Sequence, residues 1–190
     1  MKPRFLRKIL RPKIFPWYAM AAVLLWYARP TPGRVAVGLA FVVVGEALRI
    51  WGAGHLVKND RLTISGPYAF LRHPLYAGTL LVGTGLLWMG GGAASPWLLA
   101  IGLGFFFVHY FPYKERIESA RLERLYGAPY ARYRAAVPAL LPSLVAFHDP
   151  GVPGGAPWSA AKLRDNHEDG AAIAVALAVL ALALRPLLPA

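Results

Sequence analysis

Residues 73–113 read HPLYAGTLLVGTGLLWMGGGAASPWLLAIGLGFFFVHYFPY, a run of 41 residues without a single Asp, Glu, Lys or Arg. An apolar helix needs roughly 20 residues to cross a bilayer, so this run is long enough for two. Gly90, Gly91 and Gly92, followed by Ser95 and Pro96, supply the turn between them. The predicted spans are residues 74–90 and 96–112, with small residues such as Gly78, Gly83 and Gly85 allowing helices to approach closely.

Composition points the same way. The 190 residues are 57% apolar and only 16% charged, too apolar for an ordinary soluble domain. The fold class expected is all-α integral membrane: a bundle of about five transmembrane helices. Residues 14–28 form a short first span with Trp17, Tyr18, Trp26 and Tyr27 near its ends, as an interfacial belt requires. Residues 35–54 form the second, and the alanine-rich residues 171–184 a fifth. Residues 1–145 are thus expected as a core of four spans plus an interfacial helix, 146–170 as a linker, and 171–190 as a C-terminal transmembrane helix. The basic stretch before Ile14 resembles the start of a signal peptide, but no small-residue cleavage site follows, which favours a retained anchor.

The net charge of +12 would suggest a nucleic-acid partner in a soluble protein. Topology explains it better. With five spans and a cytoplasmic N-terminus, eighteen of the 21 basic residues fall in inner segments and only Arg29, Arg34 and Arg185 outside. Residues 55–72 and the charged helix expected at 114–126 then share the cytoplasmic side. That helix carries Ile117, Leu122 and Leu125 beside Lys114, Arg121 and Arg124, a pattern suited to lying on the membrane surface.

Several chemistries find no support in the sequence. There is no cysteine, so disulfides, thiolate metal sites and cysteine nucleophiles are excluded. His148 and His167 match no metal spacing, and no metal is expected. Gly83-Thr84-Gly85 is not a dinucleotide fingerprint, because Trp88 occupies the third glycine position and no strand precedes it.

The polar residues gather around Ser65–Gly78. Pro74 suits the first turn of a helix, which puts His73 at the helix mouth beside free N–H groups that attract an anionic group. Tyr68 and Tyr76 offer aromatic faces to a cation. A zwitterionic ligand with a positive centre fits both features. Glu46 and Arg49, three residues apart in the second span, are expected either to pair structurally or to line the site.

The motif Gly66-Pro-Tyr68-Ala-Phe-Leu-Arg72-His73-Pro74-Leu75-Tyr76-Ala-Gly78, followed some forty residues later by Glu118-x-x-x-Leu122-x-x-x-Tyr126-Gly127-x-x-Tyr130-x-x-Tyr133, resembles the membrane methyltransferase superfamily of isoprenylcysteine carboxyl methyltransferases and phospholipid N-methyltransferases. The resemblance covers residues 46–142. It implies a helical cofactor pocket at the cytosolic face, with no Rossmann fold, in an enzyme that uses S-adenosylmethionine, without a metal, to methylate a membrane-embedded lipid or isoprenoid by direct displacement. Leu62, Thr63, Tyr68, His73, Pro74, Leu75 and Tyr76 would contact the cofactor, and Glu118 would hold its amino group. Candidate catalytic residues are Glu46, His55 and Arg72, with His73 a further proton acceptor; Lys114 and Arg49 are candidates for the substrate side.

The sequence departs from the family pattern twice. Ser119 follows Glu118 where two adjacent acids are usual, and Lys114 stands where the carboxyl methyltransferases carry an arginine thought to orient the substrate carboxylate. Lysine lacks the bidentate fork of arginine, which weakens the case for a prenylcysteine substrate. A membrane NADPH-dependent sterol or enone reductase, which shares a similar Arg-His-Pro turn, and a non-catalytic scaffold are the alternatives.

Overall fold

The computed structural model describes residues 25–57, 60–152, 155 and 157–187. The basic arm and most of the first expected span lie outside the described residues. Among the described residues the regular elements are all helices, without strands. The helices are α1 (Pro32–His55), α2 (Pro74–Gly90), α3 (Ser95–Phe105), α4 (Phe111–Tyr126), α5 (Ala128–Ala136), α6 (Ala160–Asp165) and α7 (Glu168–Leu184). Among them, α1, the continuous helix containing α3 and α4, and α7 with its last turn are long and apolar enough to cross a membrane. The protein is an all-α integral membrane protein.

Helices α1 and α2 form the central pair, and glycine makes their contact possible. Gly38, Gly45 and Gly52 recur every seven residues on one face of α1. A Cβ placed on Gly38 would lie 2.6 Å from Gly85 O, and one on Gly45 2.7 Å from Gly78 O. The reverse holds for Gly78 against Gly45 O at 2.6 Å and Gly85 against Gly38 O at 2.5 Å. Farther along, Gly52 faces Pro74. With no hydrophobic drive between helices in lipid, such backbone approach is what van der Waals packing requires. Gly83, expected to share this role, faces open space.

The loop between α2 and α3 falls where the glycines predicted, with Gly92 at φ +52°. Arg34 ties α1 to this end: its Nη1 donates to the buried Ser95 Oγ at 2.8 Å, and its guanidinium lies 5.0 Å from the Trp88 ring.

The expected break at Pro112 does not occur. The helix runs without interruption from α3 into α4 through a wide turn at Phe106–Tyr110, where Phe111 N–H donates to Phe106 O five residues back. A proline removes one helix hydrogen bond and clashes with the preceding turn, and a wide turn placed just before it relieves both. Residues 114–126 therefore form α4 as a continuation of the same helix and do not begin a separate one. Gly127, at φ +56°, stops it as expected.

Residues 158–166 close the C-terminal end of α1. Trp158 Nε1 donates to Ile50 O at 3.2 Å, Ser159 N to Gly54 O at 2.9 Å, and Asn166 Nδ2 to Ala53 O and Leu56 O at 2.9 and 3.2 Å. The bonds to Ala53 O and Gly54 O satisfy carbonyls that a helix end leaves without partners. The stretch expected as a linker thus carries α6 and a set of capping contacts.

Candidate active site

Three segments converge at one end of the α1–α2 pair. The first is Arg72-His73 at the mouth of α2, held by Arg72 N–H to Pro138 O at 2.8 Å and His73 N–H to Ala139 O at 3.0 Å. The second is α4, which presents Glu115 and Glu118. The third is a floor of Leu62, Ile64, Tyr130, Tyr133, Val137 and Val152, with Leu122, Tyr126 and Phe147 packed against it.

Between them lies a cavity of about 340 Å³, within the roughly 300–1,000 Å³ range of small-molecule sites. Leu62, Thr63, Tyr68, His73, Pro74, Leu75, Tyr76 and Glu118 all line it, as does Arg72. Residues from two motifs more than forty positions apart thus share one wall. Arg121, Leu122 and Tyr126, one and two turns beyond Glu118 on α4, extend the lining.

The carboxylates organise this wall. Tyr76 OH donates to Glu118 Oε1 at 2.5 Å, while Glu118 Oε2 lies 3.6 Å from His73 Nδ1. Glu115 Oε1 accepts from Arg72 Nη1 at 2.5 Å, and its Oε2 bonds His73 Nε2. Ser119 Oγ donates to Glu115 Oε1 at 3.1 Å and accepts from Tyr130 OH at 2.8 Å. His73 is buried, stacked on Tyr76 with centroids 5.5 Å apart and edged by Phe111. The wide turn before α4 sets the rotation that aims Phe111 and Glu115 at it.

Glu115 is the site residue sequence reasoning missed. Its signal was spacing: it lies four residues before Ser119, and hence on the same helix face. The buried Ser119 bonds to Glu115, whose carboxylate also holds Arg72 and His73.

Tyr68 and Tyr133 stiffen the floor. Tyr133 OH donates to Tyr68 O at 2.8 Å. Burial pushes both hydroxyls well above the ordinary tyrosine range, with each neighbouring charge a smaller contribution. Burial thus favours the neutral hydroxyl in both.

Four of the expected residues stand elsewhere. Glu46 and Arg49 do pair, at 3.6 Å, but Arg49 is held more closely by Glu168 on α7, through Nη2 at 2.6 Å and Nε at 3.1 Å, and by Thr79 at 3.2 Å. That cluster lies within the bundle, off the cavity wall. His55 sits 3.3 Å from Ser65 Oγ and packs under Gly66, whose φ of +60° leaves no room for a side chain: a Cβ there would be 2.6 Å from His55 Nε2. Lys114 leaves the cavity and places its Nζ 5.9 Å from the Tyr110 ring. Among the described residues, no group of three or more His, Asp or Glu side chains converges to hold a metal ion.

This arrangement has relatives. The family model described as phospholipid methyltransferase matches residues 33–129, which takes in α1, the His73 motif and all of α4. The chain belongs to the phospholipid methyltransferase family. It is 32% identical over 117 residues to protein-S-isoprenylcysteine O-methyltransferase B of Arabidopsis thaliana, covering 55% of this chain and 57% of that protein. It is 30% identical over 134 residues to the cobalt-zinc-cadmium resistance protein CzcN of Cupriavidus metallidurans, covering 67% and 60%. With protein-S-isoprenylcysteine O-methyltransferase of Schizosaccharomyces pombe it shares 28% over 142 residues, covering 71% and 58%. The chain thus spans about three fifths of the length of these relatives. No solved structure matches significantly.

Proposed function

We propose that this protein transfers the methyl group of S-adenosylmethionine to a nucleophile on a membrane-embedded lipid or isoprenoid amphiphile, at a site on the cytoplasmic side. The observation that carries the reading is the shared wall: the Tyr68–Tyr76 motif and Glu118 line one cavity.

The residues present suit such a cofactor. Glu118 has one oxygen bonded by Tyr76 and, at 39% side-chain exposure, keeps acceptor capacity open to the cavity. It would bind the ammonium of the methionine moiety, with Tyr76 fixing its rotamer. The rings of Tyr68 and Tyr76 would face the positive centre, at about 0.5–2 kcal/mol each, and the apolar Leu62, Leu75 and Leu122 would exclude water. When bound, S-adenosylmethionine supplies an electrophilic methyl group on sulfur. Positioning the acceptor against it can contribute about 7–11 kcal/mol.

An amine acceptor must also lose a proton. Of the candidates, Glu46 and His55 lie off the cavity and Arg72 has no acceptor atom. His73 is left, with Nε2 held by Glu115 and Nδ1 turned toward Glu118. Lys114 stands off the cavity wall and is given no part in holding the substrate. Arg49, engaged by Glu168, is not used.

The test is calorimetric titration of detergent-purified protein with S-adenosylmethionine. Micromolar binding is expected, abolished in Glu118→Ala. Equal binding by Glu118→Ala, or thermal protection by NADPH with none by S-adenosylmethionine, would overturn the reading. Mass spectrometry of lipids incubated with methyl-labelled cofactor then identifies the acceptor.

A further inference from the structure

Residues 135–147 contain no charged side chain. Beyond the end of α5 at Ala136 they form a loop that straps the site segment from behind. Besides the bonds from Arg72 and His73 to Pro138 O and Ala139 O, Ser143 N–H donates to Phe70 O and Phe147 N–H to Ala69 O, both at 2.8 Å. At the tip, Ser143 Oγ donates to Val145 O at 2.9 Å and accepts from Val145 N at 3.1 Å. Pro138 and Pro142 have no N–H to satisfy. Much of the polar backbone is therefore turned inward, the condition for leaving water.

The side chains do the opposite. Leu141, Leu144 and Val145 are 79%, 100% and 76% exposed. Consecutive aliphatic groups presented by a tied-down loop mark a contact surface. The attachment point identifies the contact. Arg72 and His73, to which the loop is bonded, immediately precede Pro74, where the apolar helix α2 begins, so the loop hangs at the level where hydrocarbon meets headgroups. The exposed Arg134, one turn back on α5, offers charge to anionic headgroups just above.

We propose that the loop at residues 140–145 inserts into the lipid interface and anchors the site to the bilayer, its occupant being the upper acyl region of the adjacent leaflet. Because the same loop holds the backbone of Arg72 and His73, its depth also sets the depth of the cavity. The inference does not depend on which reaction the cavity supports.

The absence of native cysteine makes the test clean. Leu144→Cys and, separately, Val145→Cys are labelled with an environment-sensitive fluorophore and reconstituted in phosphatidylcholine–phosphatidylglycerol vesicles. Glu123→Cys, exposed near the end of α4, serves as the aqueous reference. At both loop positions we expect a blue-shifted emission, strong quenching by lipids carrying a nitroxide high on the acyl chain, and iodide quenching several-fold below the reference. Iodide quenching equal to that at position 123 would overturn the proposal. Shielding from both quenchers would also overturn it, in favour of a second copy or another protein on this surface.

Discussion

Glu115 Oε1 accepts a hydrogen bond from Arg72 Nη1 at 2.5 Å, across 43 residues of sequence, and the same carboxylate holds His73 through its other oxygen. One acid on α4 thus fixes both members of the dipeptide at the mouth of α2. Glu115→Gln keeps the shape and removes the charge, leaving Arg72, with a side chain 11% exposed, as an uncompensated cation. Breaking one side of a buried pair costs up to about 3–5 kcal/mol, and the partial exposure of Glu115 places this case toward the lower end. Thermal unfolding in detergent should show a clearly lowered midpoint, partly restored when Arg72 is replaced by Met in the same chain. An unchanged midpoint would mean that water supports Arg72 as well as Glu115 does.

Two glycines of the spans should respond in opposite ways. Gly45→Leu must push α1 away from Gly78 O, which already lies 2.7 Å from the ideal Cβ position. Overpacking of this kind costs about 1–3 kcal/mol or more, read as lost yield of monodisperse protein and a lower midpoint. Gly83→Ala meets nothing within 4 Å and should be neutral or stabilising by up to about 1 kcal/mol through helix propensity.

Alkaline pH should weaken the floor of the cavity. In the unfolded chain Tyr68 and Tyr133 ionise near the usual value of about 10, whereas burial raises both in the folded protein. Above pH ~10 the unfolded state has released protons that the folded state retains, so stability falls as pH rises. Denaturant unfolding between pH 8 and 11 should show that fall, and Tyr133→Phe should reduce its slope. A slope unaffected by the substitution would place the alkaline transition elsewhere.

Much of this molecule was legible in advance. The uncharged run from His73 to Tyr113 is long enough for two apolar helices, and it forms α2 and the start of the long helix through α3, with the turn at the three glycines. The Tyr68–Tyr76 motif stood out by its chemistry, a His-Pro helix mouth with aromatic faces, whereas Glu118 was joined to it by the family resemblance, and the two line one cavity. The expected break at Pro112 failed because proline's cost depends on local geometry: a wide turn five residues long absorbs it. Glu115, one turn before Ser119, was passed over because in sequence it reads as one more charge beside Lys114 and Arg116.

Returning to residues 73–113, hydrophobicity alone committed them to the membrane, since a bilayer admits long apolar helices whatever their neighbours. Which faces of those helices meet could come only from the folded chain. The glycine contacts of α1 and α2 depend on the relative rotation of two helices, and Arg49 is taken by Glu168, 119 residues away, not by Glu46 alone. Glu115 reaches Arg72 only after α4 has been rotated by the turn before Pro112. Such pairings depend on three-dimensional register, which no local pattern of residues encodes.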